Sequence, residues 1–258
     1  MVELLTVMGE LRDHVVLVGG WVPYFLLKDK QHEHTGSIDI DLAFDFNHIS
    51  DASYKTILQL LKERGYDQGK QPFIFHRTVK TEEGREYTIQ VDFIAGEYNG
   101  TGRSRRTQKV QDIRARKTRG CDLVFERNFP VKIRRRMPGG AVNEVSINVA
   151  DVVPFIVMKG MALDDRYKEK DAYDIYFTFS NYPGGIKGLA KEFESLKGNK
   201  LVVEGLGKIK TKFADLDSQG PVWLVNFLEI DDQEEKDRIQ RDAFERVNAF
   251  LELIHLEC

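Results

Sequence analysis

Apolar residues recur at two different spacings, and the change from one to the other divides the chain. Residues 3–12 place apolar side chains at helical intervals, and Val15-Val16-Leu17-Val18 is an apolar run halted by Gly19-Gly20, the mark of a short buried strand. Trp21 to Leu27 follows as a helix with Pro23 in its first turn, where the missing N–H is not needed. Ile38 to Phe44 alternates strictly, as a half-buried strand does, and Ala52 to Arg64 is an amphipathic helix closed by Gly65. Residues 73–80 and 85–94 read as a hairpin joined by the polar turn Thr81-Glu82-Glu83-Gly84, and further strands are expected at 121–125, 130–134 and 143–147. From Asp151, read as an N-cap, the period becomes helical, predicting helices over 151–165, 170–179, 184–197, 205–215, 220–229 and 234–256. The pattern predicts an α+β protein: a mixed β-sheet flanked by helices over 1–149, then a helical domain over 150–258.

Composition narrows the class. The 258 residues are 41% hydrophobic and 31% charged, enough apolar content for a real core and too much for a disordered chain. No apolar run reaches membrane-spanning length, the N-terminus lacks a basic region followed by a small-residue cleavage site, and Cys121 and Cys258 have no metal-ligand spacing. These features predict a cytoplasmic protein without a membrane partner.

Charge changes the picture more. The net charge of −3 hides a segment, Arg103 to Arg136, that holds thirteen Lys and Arg against three acids. Such a run suits either contact with nucleic-acid phosphates or a solvated strand-and-loop face. Its aromatics are sparse, only Phe125 and Phe129, so as a nucleic-acid footprint it fits backbone recognition of structured RNA better than base stacking.

The candidate chemistry sits on the strands. Alternation puts Ile38, Ile40, Leu42 and Phe44 on one face and Asp39, Asp41, Ala43 and Asp45 on the other, with the Asp39 and Asp41 Cα atoms about 7 Å apart. In Tyr87 to Ile94 the same period isolates Asp92 from the apolar 87, 89, 91 and 93. If the two strands are neighbours, three carboxylates could share divalent metal; singly, each also suits an amphipathic strand with a solvated polar face. Gly19-Gly20, between strand and helix, lets backbone N–H groups approach a phosphate, or makes a simple tight turn. No Gly-Lys-Ser/Thr follows it and no Gly-x-Gly-x-x-Gly is present there. Ser37 can offer a hydroxyl to phosphate or cap a turn. His32 and His34 flank Glu33 without further ligands at useful spacing, which reads as a solvated loop. If helix continued unbroken, Lys159, Leu163, Arg166, Lys170 and Asp174 would form one stripe, either cations for a triphosphate or a surface laced with ion pairs.

Gly19-Gly20, Asp39-Ile40-Asp41 and Asp92 together resemble the DNA polymerase β-like nucleotidyltransferase superfamily. More narrowly, Lys159-Gly160-Met161-Ala162 through Arg166 into Lys170-Asp171-Ala172-Tyr173-Asp174-Ile175-Tyr176 is similar to the signature of the AbiEii/AbiGii-type nucleotidyltransferase toxins. Ser218-Gln219-Gly220-Pro221 and Arg241-Asp242-Ala243-Phe244-Glu245-Arg246 resemble that branch's tail. Two features depart from the pattern. Thr35-Gly36 stands where a basic residue often precedes the acids, and the link from Gly20 to Asp39 is longer than usual.

The resemblance implies a nucleotidyltransferase-like sheet and a metal-dependent enzyme that moves a nucleoside monophosphate from an NTP to an acceptor, releasing pyrophosphate. It assigns two Mg²⁺ ions, with Mn²⁺ as an alternative, to Asp39, Asp41 and Asp92. Gly19, Gly20, Ser37 and Arg166 would bind the nucleotide, Lys159 would offset developing charge, and Asp171 would orient that lysine or the acceptor. The implied acceptor is a tRNA 3′ end or other RNA held by the Arg103–Arg136 segment, and the implied biology a toxin restrained by an antitoxin protein. Two alternatives stay open: transfer to a small molecule or protein, and a non-catalytic RNA-binding protein on the same fold. Asp174 and Tyr176 read as structural.

Overall fold

The computed structural model describes residues 1–30, 33–46, 48–49, 56–80, 84–97, 106–136 and 140–255. His32, Arg103, Arg105, Cys258, the helix start at 52–55 and turn residues 81–83 lie outside the described residues. The chain is mixed α/β, and the described residues form ten α-helices and a nine-stranded mixed sheet. It divides into two compact units, Met1–Val22 with Gly36–Asp151, and Pro23–Thr35 with Val152–Cys258. The short segment 23–35 thus leaves the sheet-bearing half of the sequence and joins the helical one.

In the first unit, helix α1 (Val2–Met8) runs through a 3-10 turn (Gly9–His14) into strand β1 (Val15–Val18). A second 3-10 turn, Gly19–Trp21, leads to the short helix α2 (Val22–Leu26), which from Pro23 onward belongs to the second unit. Then come β2 (Asp39–Phe44), α3 (Ile57–Glu63), β3 (Asp67–Gln68), β4 (Ile74–Lys80), β5 (Glu86–Ala95), β6 (Thr107–Val110), β7 (Ile113–Lys117), α4 (Leu123–Glu126), β8 (Asn128–Arg136) and β9 (Val142–Ala150). The main path runs β3-β4-β5-β2-β1-β9-β8, with β7 joining β5 in parallel and β6 pairing β7. Strands β4 and β5 form the expected antiparallel hairpin.

One sheet face is apolar throughout. Val15 and Leu17 of β1, Leu42 and Phe44 of β2, Phe75 of β4, Val91 and Phe93 of β5, and Val145, Ile147 and Val149 of β9 are all buried. The Phe93 ring lies 5.0 Å from Phe44 and 5.4 Å from Phe75. Helix α1 covers this face, with Leu4, Leu5 and Met8 buried. Its Thr6 Oγ1 accepts from Asn143 Nδ2 at 2.8 Å, and its Glu3 pairs with Arg77. Thr56 closes a capping box on α3, whose Ile57 and Leu61 are buried.

Three expectations for this unit need correction. The 121–125 stretch is a turn and one helical turn, α4, because the chain reverses at Gly120 (φ +83°) and Leu123 N–H donates to its carbonyl. Ile38 precedes β2 and is 81% exposed, so the apolar face of that strand begins at Ile40. The basic segment, for which no strand is predicted before 121, contains β6 and β7. Its alternation of Ile113 and Ala115 with Arg114 and Arg116 marks a strand, with the apolar pair buried.

The second unit holds α5 (Val152–Asp165), α6 (Glu169–Asn181), α7 (Gly185–Phe193), α8 (Lys200–Lys212), α9 (Gln219–Phe227) and α10 (Gln233–Leu253). Helix α5 is buried nearly all round and crosses α8 at two glycines. A Cβ on Gly160 would stand 2.3 Å from the Gly205 carbonyl oxygen, and one on Gly205 would stand 2.9 Å from the Val157 carbonyl oxygen. Helix α8, expected from 205, begins at Lys200, where Asn199 caps it by accepting from the Leu201 N–H at 2.9 Å. Phe179, Phe193 and Phe250 form the aromatic centre, with the Phe250 ring 4.8 Å and 5.1 Å from the other two.

Candidate functional site

The polar face of the sheet carries the acids. Strands β2 and β5 are parallel neighbours, with Asp41 directly opposite Asp92 and Asp39 opposite Gln90. Residues in register on adjacent strands share a face, so Asp39, Asp41 and Asp92 all lie on the side away from α1. Each is half-buried.

Gly19 sets the space beside them. It follows β1, whose Val18 is the register partner of Asp41, and has φ +71°. A Cβ at Gly19 would lie 2.0 Å from Asp41 Oδ2. The carboxylate occupies the volume that any other residue's side chain would fill. Gly20 is buried in the same turn, and Ser37 is half-buried on the approach to β2.

Asp92 has the most informative electrostatics. Burial pushes its carboxyl above the usual range and the charge of Asp39 pushes the same way; Gln90, Arg116 and His76 oppose them. Gln90 Nε2 donates to Asp92 Oδ1 at 2.9 Å, and His76 stands 3.2 Å from Gln90 Oε1. Arg116 reaches this face from β7, where it is opposite Ile94, two residues beyond Asp92. Its Cζ stands 5.7 Å from the Phe73 ring centroid, and its Nε is buried without a hydrogen-bond partner among the described residues. Sequence reasoning missed Arg116, Gln90 and His76; strand alternation around Asp92 and Ala115 was the signal that could have found them.

The donor set is suited to a hard cation. Among the described residues, no group of three or more His, Cys, Asp and Glu is arranged to hold one metal ion. Mg²⁺ asks for less: one or two carboxylates, with water and phosphate oxygens completing its shell. The register pair Asp41 and Asp92, with Asp39 alongside, offers that, and the bare Gly19 leaves the carboxylate of Asp41 its place.

Cations share this face at greater distance. Lys109 and Arg114 are opposite each other on β6 and β7, on the side of Arg116, and both are exposed. The chain of partners Asp41↔Val18, Val16↔Asn148 and Asn148↔Pro130 places Lys132, Arg134 and Arg136 of β8 on the same side, all exposed. The raw charge of the segment overstates this surface. Arg119 pairs with Glu97 at 2.9 Å and Arg127 with Asp151 at 2.5 Å, so Asp151, expected to cap α5, has its carboxylate on an arginine.

The second unit builds its own cluster. Lys159 Nζ lies 2.7 Å from Asp171 Oδ1 and 2.5 Å from Asp174 Oδ2. Arg166 grips Asp171 with Nε at 2.8 Å and Nη2 at 3.0 Å, and Lys170 reaches Asp174 at 2.7 Å. Asp171 and Asp174 are 0% exposed and Lys159 7%. Burial alone would lower the Lys159 pKa, but the two carboxylates raise it above the usual lysine range. Burial would likewise raise both aspartates, and Lys159 with its companions holds them below the ordinary carboxylate range. Helix stops at Asp165 and restarts at Glu169, so the unbroken helix that a single stripe from Lys159 to Asp174 would need does not form.

His34 completes the cluster and corrects another expectation. Its Nε2 donates to Asp174 Oδ1 at 2.9 Å, and its ring packs 4.9 Å from Phe177 and 5.3 Å from Tyr173. It is a buried anchor that ties 23–35 to α6, not part of a solvated loop. The two C-terminal stretches singled out in the sequence also meet: Tyr176 Oη donates to Asp242 Oδ2 at 2.7 Å, and Arg246 Nε donates to the same oxygen at 2.7 Å. Cys121 is buried in the first unit, and burial pushes its thiol far up, which makes it unreactive.

No protein-family model, no curated protein and no solved structure matches this chain.

Proposed function

We propose that the chain is a metal-dependent nucleotidyltransferase whose active centre is the acidic face of the sheet. The observation that carries this reading is the register of Asp41 against Asp92 on parallel strands, beside a glycine whose missing side chain makes room for Asp41. Asp39, Asp41 and Asp92 would hold Mg²⁺, which when bound offsets the charge of the triphosphate. The acceptor hydroxyl would attack the α-phosphorus of the NTP, forming the new P–O bond as the bond to pyrophosphate breaks. Asp92, on the same sheet face as Asp39 and Asp41, would take the hydroxyl proton. Arg116 adds a positive charge at the same face.

An RNA acceptor fits the spacing of the cations. Asn128 is level with Asp41 across β9 and β1, and Arg134 lies six residues further along β8. At the rise of a strand that is about 20 Å. A ligand touching both must be long, as an RNA is and a small hydroxylated molecule is not. Lys159 and Arg166 are bound to carboxylates, so in this reading they and Asp171 hold the helical unit's core rather than the reacting phosphates. A toxin's role and an antitoxin partner remain attached to this proposal through the motifs alone. The second reading, a non-catalytic RNA-binding protein, is favoured by the lack of a three-ligand metal group among the described residues.

The test is incubation of the purified protein with each α-labelled NTP, Mg²⁺ and total RNA, beside Asp41→Ala. Label is expected in RNA with the natural chain and not with the variant. Equal label in both would remove the acids from catalysis, and RNA binding with no label from any NTP would favour the second reading.

A further inference from the structure

Tyr167 is 87% exposed, an aromatic ring held in solvent at the break between α5 and α6. It meets Trp223 edge to face, the ring centroids 5.8 Å apart at 70°. Trp223 and Phe227 lie one turn apart on α9 and so share a face. Phe227 is fixed from behind by Tyr173, at 4.8 Å. These rings line an open cleft of about 460 Å³ with Lys168, Glu169 and Lys170. That volume falls in the range of small-molecule sites. The Glu169 carboxylate is engaged by Asn226 Nδ2 at 3.1 Å, whereas Lys168 is exposed at the rim.

The geometry points to a nucleotide-binding site in the helical unit, one that takes an unpaired base against Tyr167 and Trp223 and its phosphate on Lys168. Aromatic faces alone would equally suit a quaternary ammonium; Lys170 is paired with Asp174, but Lys168, exposed at the rim, favours an anion over a cation. A flat ring that carries an anion satisfies both features, and a nucleotide is that combination. Its residues all belong to the helical unit, and they offer the base stacking that the basic segment, with its sparse aromatics, does not. The base can belong to a free mononucleotide or to a single-stranded RNA end, and the chemistry of recognition is the same.

The experiment titrates the full chain with AMP in EDTA and follows tryptophan emission, with adenosine, ribose 5-phosphate and a short single-stranded oligoadenylate as further arms. AMP is expected to quench saturably, adenosine to bind more weakly, and ribose 5-phosphate to leave emission unchanged. Trp223→Phe should remove the quenching and leave only the Trp21 signal. Tyr167→Ala, at a position too exposed to affect folding, should weaken binding about tenfold, within the range for loss of one stacking partner. Lys168→Glu should weaken AMP while sparing adenosine. Tighter binding of the oligoadenylate identifies an RNA end as the source; preference for AMP identifies a free nucleotide. No saturable quenching by either ligand, or equal affinity in Tyr167→Ala, overturns the site. Asp41→Ala should keep this quenching whatever becomes of label transfer, so the cleft and the acidic centre fail or stand separately.

Discussion

Alanine at Gly19 would face two separate penalties. The backbone there has φ +71°, which costs an L residue about 1–2 kcal/mol, and the new methyl would overlap Asp41 Oδ2. The carboxylate must then swing away from its position opposite Asp92. Gly19→Ala is therefore expected to lower stability by about 1–2 kcal/mol in denaturant titration, while label transfer drops to the level of Asp41→Ala. A variant with the stability loss but full transfer would show that the exact seat of Asp41 is immaterial. At this scale part of the site was legible in the sequence and part was not. The shared face of Asp39 and Asp41 follows from strand period alone, as does the isolation of Asp92. Their adjacency does not, because β2 and β5 are parallel and separated by a helix and two strands, so no local turn fixes the register. His34 was opaque for the same reason: its partner Asp174 is 140 residues away, and nothing in Glu33-His34-Thr35 distinguishes an anchor from a surface loop.

Helices α5 and α6 depend on their charges being matched. Asp174 faces Lys159, Lys170 and His34 at once, with none of its surface exposed. Asp174→Asn keeps the shape but leaves two ammonium groups near a neutral amide, and loss of one partner from a buried pair costs about 3–5 kcal/mol. The pH dependence has a definite sign. The folded pKa of Asp174 lies below its unfolded value, so its stabilisation is present above the unfolded pKa of about 4 and is lost as acid takes the pH down through the folded value. Chemical denaturation followed by circular dichroism should show a constant gap between the natural chain and Asp174→Asn above about pH 4, closing on further acidification. A gap that widens in acid would contradict this account. The sequence predicted both helices and the break between them, the second helix starting at Glu169 against the expected 170. What it did not show is the pairing across that break, where Arg166 turns onto Asp171 after the first helix has ended. Strands β6 and β7 were hidden differently: a run of cations suits a solvated loop as well as a strand, and the strand is marked only by the short alternation of Ile113 and Ala115 with their arginines.

Across the whole molecule, a net charge of −3 conceals two surfaces of opposite character, and the proposed chemistry uses both. Acids that would hold metal occupy β2 and β5, while exposed cations on β8 lie on the same sheet face about 20 Å along the strands. If those cations hold RNA phosphates, affinity must fall with salt, because each neutralised phosphate releases condensed counterions. Changing Lys132, Arg134 and Arg136 together to Glu should weaken RNA binding and reduce the slope of log K against log salt by about 0.7–0.9 for each phosphate that is no longer neutralised. All three side chains are exposed, and Ile133, which anchors the strand to the core, is untouched, so the fold should survive. Filter binding at several salt concentrations measures the slope, and label transfer to total RNA, run in parallel, should fall with the affinity. An unchanged slope with undiminished transfer would move the acceptor off this face and leave the acids to act on something smaller.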